Sequence, residues 1–296
     1  MNKSRFTVLF ATDASYIPHL ATAIYSLLKN NSDLRLKIVV FTVSLPENDR
    51  TNLEKIASDF NTPIKFELLD DSHFSGLILN HHFKKSNYYR LFAADFIPEA
   101  KCLYLDADLI VDSSIKDIIS IDISDKFLAA VENPGFSSHA TLGMREESKY
   151  FNSGVMLLNL EKWREVDTKN SVIDFVKKRP QAIQFVDQCG LNGVVDGNWL
   201  ELDAKFNCQT YMLTEVHPSI YLGSNQPIVI HFTGSGKPWH LNNIHPYKKL
   251  YWRYRNKTVY KAYVPDDLTF ANVIRFIAPV ALKKFYRKIF NSFLFK

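Results

Sequence analysis

The sequence has few cysteines and no long apolar run, and each absence excludes a class of protein. Its 296 residues include only Cys102, Cys189 and Cys208, which are widely spaced and form no Cys-x-x-Cys pair. A disulfide framework and a zinc ribbon are therefore unsupported, and a reducing compartment fits best. No stretch reaches the roughly 18 apolar residues that indicate a membrane-spanning helix. The apolar run at residues 6–11 is too short for a signal peptide.

Acidic residues are scarce in the last fifty residues, so the charge is uneven along the chain. From Tyr247 onward the sequence has twelve Lys or Arg and two Asp, a net charge of +10. Because the whole chain carries +5, the first 246 residues carry −5. The basic character belongs to the tail, and a nucleic-acid-binding function for the whole protein loses its main support. We expect no nucleic-acid partner.

Apolar extended runs alternate with amphipathic segments through the first half of the chain, which indicates βαβ units and a mostly parallel sheet. The hydrophobic fraction of 46% is typical of a globular protein. We predict one main domain over residues 1–246 and a tail over 247–296. Strands are predicted at 6–11, 36–43, 64–69, 102–105, 127–131, 155–160 and 228–232. Helices are predicted at 17–28, 46–60, 88–96, 171–178 and 188–195.

Two aspartates follow a short apolar strand, in the run Leu103-Tyr-Leu-Asp-Ala-Asp-Leu-Ile110. Alternation along an extended chain puts Asp106 and Asp108 on the same side, at a strand's carboxyl end where open sheets bind ligands. Carboxylates so placed repel each other unless a cation lies between them. Mn²⁺ or Mg²⁺ could bridge them to a diphosphate. The alternative is a solvated turn in which an Asp caps the following helix.

A second motif places an imidazole at a strand end, followed by a glycine-containing loop and an ammonium group. It runs from His231 through Gly234 to Lys237. Imidazole suits a Mn²⁺ site and lysine suits a phosphate. The motif is not a P-loop, because His231 occupies the first glycine position and Pro238 follows the lysine. The alternative is a turn that contains a partly buried histidine.

The two motifs, in this order, resemble glycosyltransferase family 8, and the resemblance spans roughly residues 6–239. It implies a GT-A fold, in which a nucleotide-binding mixed α/β sheet is flanked by helices. The implied reaction is a retaining, metal-dependent transfer of galactose or glucose from a UDP-sugar to a surface glycan such as lipopolysaccharide or lipooligosaccharide. By the same resemblance, Asp106, Asp108 and His231 would bind Mn²⁺, with Mg²⁺ as the second choice.

The resemblance also implies the donor-binding residues. They are Ala11 and Asp13 for the uridine, Arg90, Asp106 and Ala107 beside the donor, Gly234 and Lys237 for the diphosphate, and Asn152, Asp187 and Gln188 for the sugar. Asp13 could instead cap the helix that begins near residue 17, and Arg90 could instead form a surface ion pair.

The catalytic candidates implied by the resemblance are Asp187 and Gln188, with Gln188 beside the anomeric carbon. Many relatives have an acid at the position of Cys189, so the sugar pocket departs from the family pattern there. A retaining mechanism with two carboxylates needs a second acid about 5–5.5 Å from the first. No carboxylate is unambiguously placed for that role, and glutamine is a poor nucleophile. The hypothesis is therefore attack by the acceptor on the front face of the sugar.

The end of the tail has an amphipathic pattern. Apolar and basic residues separate onto two helical faces after Pro279: Leu282, Phe285, Tyr286, Ile289, Phe290 and Phe293 on one, Lys283, Lys284, Arg287, Lys288 and Asn291 on the other. This pattern predicts an interfacial helix on an anionic membrane, beside a lipid-linked acceptor. The expected location is cytoplasmic, peripheral on the inner face of the cell membrane. The alternative is a helix packed onto the main domain.

Other functions remain open at this stage. A nucleotidyltransferase of similar sheet architecture would also use acidic metal ligands, but it usually has a glycine-rich loop after the first strand, and residues 11–15 contain no glycine. A non-catalytic module that binds sugar nucleotides would not need two aspartates, a histidine and a lysine together. Self-glucosylation, in which the protein is its own acceptor, is a further possibility.

Overall fold

The computed structural model describes residues 5–77, 79, 84–134, 136–214, 217–262, 264–265 and 267–277. Over these residues, a seven-stranded sheet in the order β3-β2-β1-β4-β7-β6-β8 lies beside a small sheet in the order β5-β10-β9. The strands are β1 (Phe6–Ala11), β2 (Leu36–Thr42), β3 (Ile64–Leu68), β4 (Lys101–Leu105), β5 (Leu109–Val111), β6 (Leu128–Glu132), β7 (Phe151–Asn159), β8 (Leu200–Glu201), β9 (Cys208–Gln209) and β10 (Val229–His231).

Helices flank the large sheet on both faces. They are α1 (Ile17–Lys29), α2 (Glu47–Ser58), α3 (Ala93–Phe96), α4 (Lys116–Ser120), α5 (His139–Leu142), α6 (Leu160–Glu165), α7 (Thr168–Lys178), α8 (Val186–Val195), α9 (Thr210–Thr214), α10 (Ser219–Leu222), α11 (Lys248–Arg255) and α12 (Phe270–Ile277). Short 3₁₀ helices lie at Ala14–Tyr16, Asp71–Phe74, Lys85–Phe92, Ala204–Phe206 and Val259–Ala262.

The large sheet is mixed, as the resemblance implied. β1, β2, β3 and β4 are parallel, β7 is antiparallel to β4 and β6, and β8 is parallel to β6. β1 has apolar side chains on both faces. Val8 and Phe10 pack in a cluster with α1 and α2, whereas Leu9 and Ala11 pack in a cluster with α6, α7 and α8. Burial on both faces explains why β1 is a continuous apolar run. The predicted mixed α/β fold is confirmed.

The small sheet joins the two sequence motifs. β5 follows the Asp106–Asp108 turn, and β10 ends at His231; the two strands are antiparallel, with His231 opposite Leu109. β9 pairs with the other side of β10. Ile110, Ile230 and Phe232 pack in a third apolar cluster beneath this sheet. Residues more than one hundred positions apart in sequence are therefore held at the same edge of the fold.

Several predicted element boundaries differ from the structure, and two of the differences lie at the pocket. β7 begins at Phe151, four residues before the predicted start, and all nine of its residues are buried. The polar Asn152 and Ser153 obscured the strand because their hydrogen bonds are made inside the protein. The helix predicted at 88–96 is a 3₁₀ helix, Lys85–Phe92, followed by the short α3. The short strands β5, β8 and β9 were not predicted.

The first part of the predicted tail packs against the main domain. Tyr251 and Arg255 of α11 are buried, and the Tyr251 hydroxyl lies 2.6 Å from Nδ1 of His19 in α1. The boundary after residue 246 stays a prediction. Residues 282–293, where the amphipathic helix is predicted, lie outside the described residues. Among the residues that are described, no helix is long and apolar enough to cross a membrane.

Candidate active site

A pocket of about 380 Å³ lies at the carboxyl ends of β1 and β4. It brings together every site residue that the sequence predicted. Its walls include Ala11, Asp13, Arg90, Asp106, Ala107, Asp108, Asn152, Asp187, Gln188, His231, Gly234 and Lys237. These residues come from six separate stretches of the chain. Motifs that are far apart in the sequence therefore meet at one pocket. The role of each residue stays a prediction.

Asp106, Asp108 and His231 form the group suited to a metal ion. One ligand atom from each lies within 4.8 Å of the others. His231 Nε2 is 3.5 Å from Asp106 Oδ2 and 3.3 Å from Asp108 Oδ1. Two carboxylates and an imidazole form a donor set that first-row divalent metals accept. The group supports a metal site and argues against the alternatives of a solvated turn and an isolated buried histidine.

A hydrogen-bond chain fixes the orientation of the His231 ring. Asn207 Oδ1 lies 2.9 Å from His231 Nδ1, and the Asn207 amide nitrogen donates to Asn152 Oδ1. Because the Asn207 oxygen can only accept, His231 Nδ1 carries the proton. Nε2, which points toward the two carboxylates, is then the ring nitrogen that would bind a metal. Asn207 is therefore a positioning residue, and its sequence context gave no signal of this role.

Gly154 of β7 makes room for this cluster. A Cβ atom at this position would lie 2.1 Å from Cε1 of His231 and 2.7 Å from Oδ2 of Asp106. The Gly154 carbonyl also accepts a hydrogen bond of 2.8 Å from the backbone N–H of Asp106. The backbone of β7 thus forms one wall of the candidate metal site, and any side chain there would displace a ligand.

Lys237 contacts Asp108 directly. Its Nζ donates to Asp108 Oδ2 at 2.5 Å and to the Phe232 carbonyl at 2.6 Å. Burial alone would raise the pKa of Asp108, but Lys237 and His231 outweigh it and hold that pKa well below its usual range. Asp108 is therefore a carboxylate with a strong cation beside it. The predicted contact of Lys237 with a diphosphate stays a prediction.

Arg90 is the centre of a second ionic network. Its Nη2 lies 2.9 Å from Asp106 Oδ1 and its Nε lies 3.1 Å from Asp187 Oδ2. Burial would lower the pKa of Arg90, but these carboxylates raise it above its usual value. The Tyr104 hydroxyl donates to Asp106 Oδ1 at 2.6 Å. Since the Arg90 side chain is only 3% exposed, the alternative of a surface ion pair is wrong.

Asp187 and Gln188 lie at the start of α8, beside this network. Burial raises the pKa of Asp187 to about 7, although Arg90 acts in the opposite direction. Gln188 Oε1 accepts hydrogen bonds from the Ser153 backbone N–H at 3.0 Å and the Asn152 amide at 3.2 Å. Both catalytic candidates are therefore fixed by neighbouring residues.

The Cys189 thiol turns away from the pocket. It is buried and lies 3.2 Å from the Tyr150 hydroxyl. Burial raises the pKa of this thiol. Cys189 is thus a neutral side chain, and it adds no charge near Asp187.

The other end of the pocket contains Asp13 and Lys84. Asp13 Oδ1 accepts from the Ser15 backbone N–H at 2.9 Å and caps the 3₁₀ helix Ala14–Tyr16. Lys84 Nζ lies 3.3 Å from Asp13 Oδ2. The alternative considered for Asp13 was a cap of the helix that begins near residue 17, but Asp13 caps this preceding 3₁₀ helix instead, and Tyr16 is the N-cap residue of α1. The capping carboxylate also lines the pocket.

Tyr16 and Lys84 are among the pocket residues at this end that the sequence analysis missed. Tyr16 lies edge-on to Trp239, with the ring centres 5.7 Å apart, and Lys84 Nζ lies 5.4 Å from the centre of the Tyr16 ring. No motif marks either residue. The aromatic residue shortly after Ala11-Thr-Asp13 was the only available signal, because an aromatic face near a strand end can stack on a base.

Comparison with known proteins agrees with this geometry. Residues 7–243 match the model of Glycosyl transferase family 8. General stress protein A of Bacillus subtilis (strain 168) is 30% identical over 266 residues, which is 85% of this chain and 93% of that protein. Lipopolysaccharide glucosyltransferase WaaO of Escherichia coli (strain K12) is 29% identical, over 97% of this chain and 89% of WaaO.

The solved structures include one of the galactosyltransferase LgtC in complex with donor and acceptor sugar analogues. It superposes with a TM-score of 0.78 at 25% identity, over 88% of this chain and 98% of LgtC. The predicted GT-A fold is confirmed by this similarity and by the mixed sheet. This chain is a glycosyltransferase, and it belongs to glycosyl transferase family 8.

Proposed function

We propose that this glycosyltransferase transfers galactose or glucose from a UDP-sugar to a surface glycan, with retention of the anomeric configuration and with a divalent metal. The observation that carries the proposal is the convergence of the Asp106–Asp108–His231 group and the Arg90–Asp187 pair in one pocket. LgtC, which was solved with donor and acceptor sugar analogues, supports a sugar donor and a glycan acceptor. The family assignment disfavours the nucleotidyltransferase and non-catalytic alternatives.

Asp106, Asp108 and His231 would hold the metal, which would neutralise the diphosphate as the glycosidic bond breaks. An imidazole ligand suits Mn²⁺, and Mg²⁺ prefers an all-oxygen set, so Mn²⁺ is the first choice. Gly234 has φ +80°, and a Cβ atom added there would meet no heavy atom within 4 Å. Its backbone can therefore approach a diphosphate closely, beside Ala107 and Lys237.

The remaining residues would bind the two ends of the donor. Ala11 and Asp13 would contact the uracil, with the Asp13 carboxylate accepting the imide proton. Asn152 and Asp187 would contact the sugar hydroxyls. This division follows the pocket, because Asp13 lies just after β1 and Asp187 lies in α8, and both line the pocket together with the candidate metal site.

Attack by the acceptor on the front face of the sugar is our proposal for retention. Asp187 is tied to Arg90 at 3.1 Å, and the Gln188 side-chain oxygen already accepts two hydrogen bonds. Both groups can orient the sugar without leaving these contacts, whereas a nucleophile would have to leave them. A covalent hexosyl adduct on Asp187, detected by mass spectrometry after rapid quenching, would refute front-face attack.

The test of the proposed reaction is UDP release from UDP-galactose and UDP-glucose, with Mn²⁺ and with excess EDTA. We expect release with one of the two donors, and loss of release with EDTA. Asp108→Asn and His231→Ala should each lose more than the roughly 10–100-fold that changes behind a metal ligand produce. UDP release that is indifferent to EDTA would contradict the metal site. A mass increase of the protein itself would identify self-glucosylation.

The proposal also includes the kind of acceptor and the location of the enzyme at a membrane. WaaO is named as a lipopolysaccharide glucosyltransferase, which supports a lipid-linked surface glycan as the acceptor. We propose that the tail places the enzyme on the inner, cytoplasmic face of the cell membrane. In support, Phe270 and Ile277 of α12 are 83% and 71% exposed, and α12 leads into the basic segment.

Truncation after Asp267 tests the membrane proposal. The shortened chain should lose binding to anionic liposomes because it lacks α12 and six of the twelve basic residues of the tail. It should retain UDP-sugar hydrolysis. Sedimentation with vesicles of phosphatidylcholine and phosphatidylglycerol measures the binding, and vesicles of phosphatidylcholine alone are the control. Equal liposome binding by the full and truncated chains would contradict the proposal that the tail binds the membrane.

A further inference from the structure

The Lys237 ammonium group contacts a candidate metal ligand at the wall of the pocket. Its Nζ donates to Asp108 Oδ2 at 2.5 Å and to the Phe232 carbonyl oxygen at 2.6 Å. The other carboxylate oxygen, Asp108 Oδ1, faces His231 Nε2 at 3.3 Å. One carboxylate therefore lies between an ammonium group and the imidazole that would share a metal with it.

The charges in this part of the pocket are nearly balanced without a metal. The carboxylates are Asp106, Asp108 and Asp187, and the cations are Arg90 and Lys237. Arg90 already pairs with Asp106 and Asp187, so Lys237 neutralises Asp108. A dication on the same carboxylate would place two positive centres close together, with little water between them to screen the repulsion. A diphosphate would remove this conflict, because it supplies oxygens that accept hydrogen bonds from an ammonium group.

The Lys237 side chain can move without its backbone. Trp239, two residues later, is buried and stacked on His19 with ring centres 3.5 Å apart, which anchors the end of the loop. Lys237 itself lines the pocket together with Gly234. A lysine side chain has a flexible four-carbon stem and three donors that can be redirected. The ammonium group can therefore leave Asp108 for another acceptor in the same pocket while the fold stays intact.

We propose that Lys237 is an exchangeable counter-ion, which neutralises Asp108 while the donor is absent and transfers to the donor's diphosphate when the donor and metal bind. This inference rests on the proposed function. Its consequence is a coupling between two ligands. Metal alone must displace Lys237 and binds weakly, whereas nucleotide gives Lys237 a new partner and so strengthens metal binding. By linkage, metal strengthens nucleotide binding by the same factor.

A fixed lysine would behave in the opposite way. If Lys237 stayed on Asp108 in every state, it would only hold that carboxylate in place for the metal. Removing it would then weaken metal binding both with and without nucleotide, as loss of a group behind a metal ligand does. The two roles thus predict changes of opposite sign in the same measurement.

The experiment is titration calorimetry with Mn²⁺, with and without saturating UDP, on the full chain and on Lys237→Met. Without UDP, we expect the variant to bind Mn²⁺ about tenfold more tightly than the wild type, within the range of ordinary coupling factors. With UDP, we expect the wild type to gain at least about tenfold in Mn²⁺ affinity. The variant keeps the coupling that comes from direct contact between metal and diphosphate, and we expect its gain to be smaller than that of the wild type by about tenfold, the factor by which it binds Mn²⁺ more tightly without UDP. Lys237→Gln, which keeps a donor but not the charge, should behave like Lys237→Met.

Lys84→Met is the matched control. Lys84 lines the same pocket, but it pairs with Asp13 and not with a candidate metal ligand. The Lys84→Met variant loses the same charge as Lys237→Met. We expect the Mn²⁺ affinity of Lys84→Met without UDP to stay within about twofold of the wild type, since exposed charges are screened. An equal tightening in Lys84→Met would show a general field effect and overturn the specific role of Lys237.

Two results separate this inference from the proposed function. Weaker or unchanged Mn²⁺ binding by Lys237→Met and Lys237→Gln without UDP would overturn the counter-ion role, even if the wild type releases UDP from a UDP-sugar. Absence of both UDP binding and UDP release in the wild type would overturn the proposed function itself, and the counter-ion role with it.

Discussion

The two ends of the pocket use the same kind of interaction in different surroundings. At the end proposed to bind the sugar, here called the sugar end, Arg90 pairs with Asp187, and their side chains are 3% and 2% exposed. At the end proposed to bind the uridine, here called the nucleotide end, Lys84 pairs with Asp13, and their side chains are 50% and 23% exposed. A buried charge that loses its partner is strongly destabilising, whereas an exposed pair contributes little. The ion pair at the sugar end therefore matters for the stability of the fold, whereas the ion pair at the nucleotide end contributes little to it.

The secondary structure explains this difference. Asp106 follows β4, Asp187 lies in α8, and Arg90 lies in the buried 3₁₀ helix packed against β1. Asp13 and Lys84 lie outside helices and strands. Positions inside packed elements keep their geometry without ligand, which is what a site for a short-lived transition state needs. We expect ligand-dependent adjustment mainly at the Asp13–Lys84 end.

The largest effect should come from Arg90→Met. It leaves the buried Asp187 and the partly buried Asp106 without their shared cation. The loss of one partner of a buried pair lowers the free energy of unfolding by about 3–5 kcal/mol. Urea denaturation at pH 7.5 measures this change. Lys84→Met is the control and should change it by less than about 1 kcal/mol. Equal changes in the two variants would contradict the difference in stability that we infer between the two ends.

His245 shows the effect of burial on a pKa without a contribution from charge pairing. It packs edge-on against Phe232, and within the described part of the chain its Nε2 has no hydrogen-bond partner. Burial alone lowers its pKa from 6.5 to about 4. The folded state therefore binds the proton more weakly than the unfolded state. This contribution to stability is fully present above pH 6.5 and is lost as the pH falls through 4.

The measurement for His245 is the free energy of unfolding of the wild type and of His245→Asn from pH 7.5 to pH 4. The difference between the two proteins should shift by up to roughly 3 kcal/mol against the wild type over this range. His19, whose pKa burial also lowers, is present in both proteins and cancels. A difference that is independent of pH would show that burial alone does not shift the pKa of a histidine in this fold.

Asn207→Ala should have an intermediate effect, on metal affinity rather than on stability. The substitution removes the acceptor that holds the proton on His231 Nδ1. Loss of such a partner lowers metal affinity by about 10–100-fold. Calorimetry with Mn²⁺ in the presence of UDP measures it, and His245→Asn is a control because His245 lies outside the candidate metal group. An unchanged affinity would mean that the backbone alone orients the His231 ring.

The sequence predicted the parts of this site that belong to short motifs. Asp106 and Asp108 follow an apolar strand, and His231 ends another, so alternation and strand ends made them candidates, and the family resemblance joined them into one ligand set. Family resemblance added Arg90 and Asp187, and each of these residues lines the pocket.

Asn207 and the start of β7 could not be predicted in the same way. Asn207 acts on His231 only because β9 and β10 pair, and β9 is two residues long. The polar residues Asn152 and Ser153 look like a loop in sequence, yet they are buried in a strand where Gln188 accepts their hydrogen bonds. Their partners are distant in sequence, so local periodicity carries no information about them.

The smallest effect should be the coupling between Asp13 and Lys84. A double-mutant cycle with Asp13→Asn and Lys84→Met should give a coupling of about 0.2–1 kcal/mol in unfolding free energy, because water screens this pair and its side chains lose entropy when they pair. The coupling should fall further in about 0.5 M NaCl, where the screening length is shorter. Asp13→Asn keeps the side-chain oxygen that caps residues 14–16, so the cycle reports the charge pair and not the cap. A coupling well above roughly 1 kcal/mol that resists salt would mean that the nucleotide end is organised before the donor arrives, and that exposure is the wrong criterion for telling the two ends apart.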